Sequence, residues 1–124
     1  MVAFTHVNVV TMTDDSVTRD VSVLVRDGRI VAMGRSIAIP STAQRIDGRG
    51  RYLMPGLSDM HTHLFSDESL PASAGPAELG VMLANGITTA RLMIGTPAHL
   101  TLRDRVARGD VLGPKLWVAS AQFA

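Results

Sequence analysis

From residue 57 onward the chain alternates short apolar runs with longer amphipathic ones, in the order strand, helix, strand, helix, strand. No other feature restricts its fold so tightly. Two strands joined through a single helix must run parallel, and the crossover between them is right-handed. The first strand lies within Leu57–Leu64, the second within Ile87–Ile94 and the third within Lys115–Ser120. A helix is expected from Pro76, with Gly75 as its N-cap, a buried stripe of Leu79, Met82 and Leu83, and Asn85-Gly86 closing it. A second helix opens at Thr96-Pro97 and stops at Gly109. The polar stretch from Phe65 to Gly75 reads as a loop.

The preceding residues have a different texture. Ala3–Met12 is rich in Val and Thr, and Val21–Arg26 and Arg29–Gly34 flank Asp27-Gly28, a dipeptide suited to the positive φ angles of a tight hairpin. Gln44–Asp47 and Arg51–Met54 complete four or five short strands, expected to be antiparallel. The fold class is therefore α/β in two parts, 1–54 a small β module and 55–124 the start of a parallel α/β layer.

Composition narrows the function. Twelve Lys+Arg balance eleven Asp+Glu for a net charge of +1, which gives no footing for nucleic acid or an anionic membrane as partner. Cysteine is absent, so thiolate nucleophiles, thiolate metal sites and disulfides are excluded and any metal must be held by nitrogen and oxygen. No basic and apolar leader opens the chain, and no apolar run approaches the roughly 20 residues of a membrane span, so a soluble, cytoplasmic placement is expected.

The candidate site lies in Met54-Pro55-Gly56-Leu57-Ser58-Asp59-Met60-His61-Thr62-His63-Leu64. Side chains alternate faces along a strand, so Asp59, His61 and His63 are expected on one face. Two imidazoles displaced by about 6–7 Å along that face can converge on one ion. The competing reading is a pair of histidines that merely lie on a strand. Position favours the first, because the pair falls where a strand ends and a polar loop begins, the end at which parallel α/β folds build ligand sites. Asp59 would orient a histidine, join a buried polar network or pair with Arg91, with direct ligation a lesser alternative. His6 reads as a surface or packed residue, His99 as a capping or surface residue and Trp117 as core.

Pro55-Gly56-Leu57-Ser58-Asp59-Met60-His61-Thr62-His63 resembles the first-strand motif of the metal-dependent amidohydrolase superfamily. Asp27-Gly28-Arg29-Ile30 and Gly48–Tyr52 resemble its N-terminal β-sandwich portion. Asn85-Gly86-Ile87-Thr88-Thr89-Ala90-Arg91 resembles the second barrel strand and Leu112-Gly113-Pro114-Lys115 the approach to the third. The likeness spans essentially the whole chain, with the imidazolonepropionase-like and prolidase-like group nearest in flavour. It implies a TIM-like (β/α)8 barrel, incomplete here, with one or two divalent ions, usually zinc, for which His61 and His63 would be metal ligands. It also implies metal-activated water attacking an amide, lactam or Xaa-Pro-type C–N bond of a small molecule. Members carry a further lysine or glutamate, two more histidines and a final aspartate on later strands, and this sequence has no counterparts. The stretch after Gly56 is a fraction of the roughly 250 residues that a barrel takes. The expectation is thus the first third of such a hydrolase, inactive by itself. The alternative is a non-catalytic module or split half that self-associates or is complemented at an open barrel edge.

Overall fold

The computed structural model describes residues 1–64 and 74–121. It forms two compact units, Met1–Pro55 and Gly56–Ala124. No helix among the described residues is long and apolar enough to cross a membrane.

In the first unit, β1 (Val2–Val9), β2 (Thr18–Arg26), β3 (Arg29–Gly34), β4 (Gln44–Asp47) and β5 (Tyr52–Leu53) make one sheet ordered β3-β2-β1-β4, with β5 also on β1. The β2–β3 hairpin turns at Asp27 and Gly28, both at positive φ (51° and 73°), as their sequence requires. β1, β2 and β3 are antiparallel, but β4 and β5 run parallel to β1. The all-antiparallel expectation is corrected there: after the turn at Arg35-Ser36, the segment carrying Ile37 and Ile39 returns the chain beside β1 in the same direction. A single sheet results among the described residues, with apolar packing on both faces. Val7, Val9, Val21 and Val23 cluster on one, and Ala3, Leu24 and Ala43 on the other with Ile37 and Ile39.

The second unit holds β6 (Leu57–Thr62), α1 (Ala74–Ala84), β7 (Ile87–Leu92), α2 (Pro97–Arg108) and β8 (Lys115–Val118). Its three strands are parallel in the order β6-β7-β8. Helix α2 is framed as its sequence dictates. Thr96 is extended and its hydroxyl accepts the His99 N–H at 3.3 Å, while Gly109 takes the left-handed conformation (φ 80°) and its N–H reaches the Arg105 and Val106 carbonyls. Helix α1 starts before the expected N-cap, so Gly75 lies inside its first turn. The loop expected at Phe65–Gly75 falls mostly outside the described residues.

Both helices cover the same face of this sheet. Leu79 of α1 and Leu92 of β7 are fully buried, packed with Leu64, Ala90, Val111 and Leu116 and flanked by Leu102 and Val106 of α2. Each such burial contributes about 2 kcal/mol. Gly56 is explained by proximity rather than by a turn: a Cβ there would run into the Thr88 side chain on β7. At the other end of β7, a Cβ on Gly95 would meet the Ala119 carbonyl oxygen.

Candidate metal centre

Strand β6 does not keep the simple alternation of an ideal strand. Asp59 pairs with Ala90 and Thr62 with Leu92, so β6 advances three residues while β7 advances two. This is a β-bulge, which shifts the facing of every later residue by one. Partners in a ladder present their side chains on the same face. Ala90 and Leu92 both point into the helix-covered core, at 0% exposure, so Asp59 and Thr62 take that face too. His61 and His63 flank Thr62 and take the opposite face, which no helix of this unit's described residues covers, and both are exposed. Leu64 then returns to the core. The expectation that Asp59 shares a face with the histidines is thereby overturned, because the bulge falls between them.

The bulge leaves the two imidazoles side by side, their ring centroids 5.6 Å apart and their planes tilted by 58°. Two imidazoles sharing one tetrahedral ion through nitrogens about 2 Å from it would hold their centroids about 5 Å apart. The observed separation is close to that spacing. No group of three or more His, Cys, Asp or Glu that could hold a metal occurs among the described residues. A catalytic metal site ordinarily takes three or more protein ligands, so two histidines would be only part of one.

The Asp59 carboxylate turns back on its own strand and accepts the His61 backbone N–H at 3.0 Å. It does not pair with Arg91, which lies on the uncovered face of β7 in register with Trp117 of β8. Trp117, expected in the core, is 54% exposed on that same face, and the Lys115 ammonium sits 4.6 Å from its ring centroid. Arg91, Lys115 and Trp117 thus share the face of the histidines. The strict alternation of Thr89-Ala90-Arg91-Leu92 and Lys115-Leu116-Trp117-Val118 was the signal that could have placed them there.

The remaining histidines behave differently. His6 is exposed, and its Nδ1 lies 3.0 Å from Asp20 Oδ1. His99, expected as a capping or surface residue, gives its backbone N–H to the Thr96 cap, but its side chain is buried (5% exposed) and neither ring nitrogen has a hydrogen-bond partner among the described residues. Its spacing to Leu102 and Val106 puts it on the buried stripe of α2. The Ser16 hydroxyl and backbone N–H beside Asp14 hold that carboxyl below its usual range in the turn after β1.

No family model matches the sequence. Individual relatives do. Dihydroorotase of Mycobacterium tuberculosis is 54% identical over 44 residues, 36% of this chain and 10% of the relative. Imidazolonepropionase of Mycolicibacterium smegmatis is 34% identical over 93 residues, 74% of this chain and 24% of the relative. A candidate prolidase from Bifidobacterium longum, known from its crystal structure, is 31% identical with a TM-score of 0.84, covering 97% of this chain and 30% of that one. The chain thus spans no more than about a quarter of the curated relatives it matches. Its sequence relatives and its fold together show the kinship that the His-x-His motif suggested: the chain is a relative of the amidohydrolase superfamily, matched over a segment of its members' length.

Proposed function

We propose that the chain supplies the N-terminal part of a metal-dependent hydrolase of C–N bonds, in which His61 and His63 are ligands to a divalent ion. The two-part assignment follows the same reading: residues 1–54 form a β-sandwich portion, and residues 55–124 the first strands and helices of a (β/α)8 barrel whose interior is the uncovered face of β6, β7 and β8. The carrying observation is the adjacency of the two rings on that face, at the C-terminal end of β6. The relatives are amidohydrolases, which supports C–N hydrolysis in general and a small amide, lactam or Xaa-Pro-type substrate in particular.

The chain's own contribution is positional. The irregularity in β6 leaves both imidazoles on one face, and Leu64 beyond them packs into the helix-covered core. Arg91 places a fixed cation on the neighbouring strand, suited to an anionic group on a substrate. His61 and His63 would hold part of the coordination of a divalent ion, usually zinc in such enzymes, which would supply Lewis acidity and lower the pKa of water so that hydroxide is available near neutral pH. The general base and the other ligands would come from later strands, so the 124 residues by themselves are expected to lack turnover.

Titrating the metal-free chain with zinc by calorimetry tests this. A saturable site is expected, abolished in the His61→Ala/His63→Ala double variant. Equal zinc uptake by the double variant would end the reading, and metal-dependent amide turnover by the chain alone would refute its inactivity.

A second reading draws on the sheet edges. Strands β6 and β8 each have one unpaired side among the described residues, and Leu57 and Trp117 are about half exposed. Such a layer invites self-association or completion by the missing barrel portion. Light scattering on the purified chain checks this: a discrete oligomer supports it, and a monodisperse monomer at high concentration removes the self-association arm.

A further inference from the structure

The bulge in β6 has a definite chemical requirement. A residue inserted into a ladder loses its regular backbone partner, and its N–H must find another acceptor or water. The residue affected is His61, and its N–H is satisfied by a side chain, the Asp59 carboxylate at 3.0 Å. Among the described residues Asp59 has no other hydrogen bond or ion pair. The geometric stakes are high. If β6 continued in phase from the Asp59–Ala90 pair without the extra residue, His61 would pair with Leu92 and both histidines would point into the helix-packed core.

We infer that Asp59 is a positioning residue: its carboxylate holds the bulge that turns His61 onto the face of His63. The carboxylate lies on the opposite face of the strand from the two rings and acts through the backbone rather than as a ligand. The consequence for ion binding rests on the function proposed above, but the positioning itself does not. The side-chain length is decisive, since an acceptor one carbon beyond Cβ can close back on the amide two residues ahead, as short Asp and Asn side chains do in turns. Asparagine retains that acceptor without the charge. Alanine has none, and glutamate carries its oxygens one carbon too far out.

The experiment compares the isotopically labelled full chain with its Asp59→Asn, Asp59→Ala and Asp59→Glu variants. Three quantities are read: amide exchange at His61, the cross-relaxation between the His61 and His63 rings, and zinc affinity by calorimetry. Asp59→Ala and Asp59→Glu should each speed His61 exchange at least tenfold, abolish the ring–ring signal and weaken zinc at least tenfold. Asp59→Asn should stay within threefold of the parent in all three. Should Asp59→Ala fail to fold, the contrast between Asp59→Asn and Asp59→Glu decides alone. The inference is overturned if Asp59→Ala or Asp59→Glu keeps the ring–ring signal. It is also overturned if Asp59→Asn keeps that signal but loses zinc as fully as the others, for then the charge acts on the ion itself. A parent chain that takes up no zinc, with the exchange and ring signals following the expected pattern, defeats the metal reading and leaves the positioning role standing.

Discussion

The two units solve the same local problem in opposite ways. In each, a histidine sits at an irregularity of a β ladder with an aspartate beside it. In the first unit the β1–β2 register slips twice, His6 and Asp20 take left-handed backbone conformations (φ 56° and 52°), and the acid meets the imidazole ring directly. In the second the acid meets the backbone N–H and leaves the ring alone. The first arrangement consumes the histidine in an exposed pair. The second presents it, beside another histidine, to whatever approaches the open face. Residue type alone therefore says little about a histidine's use; what the neighbouring carboxylate bonds to says more.

The largest expected effects test whether the units have separate cores. Leu79→Ala should cost about 3 kcal/mol and Val23→Ala about 2 kcal/mol, both being almost fully buried. Amide exchange should show the first loss confined to β7 and β8 and the second to β1–β3. Loss of protection across both sheets from either change would erase the distinction.

Next comes the histidine contrast. His61→Ala or His63→Ala alone should weaken zinc binding at least tenfold, whereas His6→Ala should leave it unchanged, as read by calorimetry. A comparable loss from His6→Ala would collapse the comparison. A smaller effect is expected from Asp20→Ala, because exposed ion pairs contribute only about 0.2–1 kcal/mol and both partners here are more than half exposed. Chemical denaturation should find a loss within that range; a larger one would mean that the pair holds the two irregularities in place.

The smallest effect concerns acid. The folded-state pKa of Asp14 is lowered by the Ser16 hydroxyl and backbone N–H, so its contribution is present above the unfolded-state pKa and fades as pH falls through the folded value. Asp14→Asn should therefore narrow its stability deficit relative to the parent as the solution is acidified below the ordinary carboxylate range. A deficit that stays constant with pH would show that the charged form gains nothing from Ser16.

Local chemistry was the most readable level of the sequence. Asp27-Gly28, Thr96 and Gly109 each specify a backbone conformation through their own side chains or lack of one, and each adopts it. Relations between segments were less readable. The parallel pairing of β4 with β1 depends on where the connection after Gly34 returns, and nothing local to Gln44–Asp47 encodes that direction. The facing of Asp59 failed for a related reason: alternation assumes an unbroken ladder, and the break is visible only against Ala90 and Leu92. Trp117 was misplaced because hydrophobicity is blind to which face of a sheet the helices cover. The surface alternative for His99 failed because a polar residue was assumed to seek water, although its helical spacing to Leu102 and Val106 pointed inward.

Trp117 is the only tryptophan in the chain, and it lies on the histidine-bearing face with a lysine ammonium over its ring. Its emission colour and quantum yield respond to water and to nearby charge. The molecule thus carries an optical gauge at the one surface where a ligand, a second copy or the rest of a barrel would arrive, and it needs no attached dye.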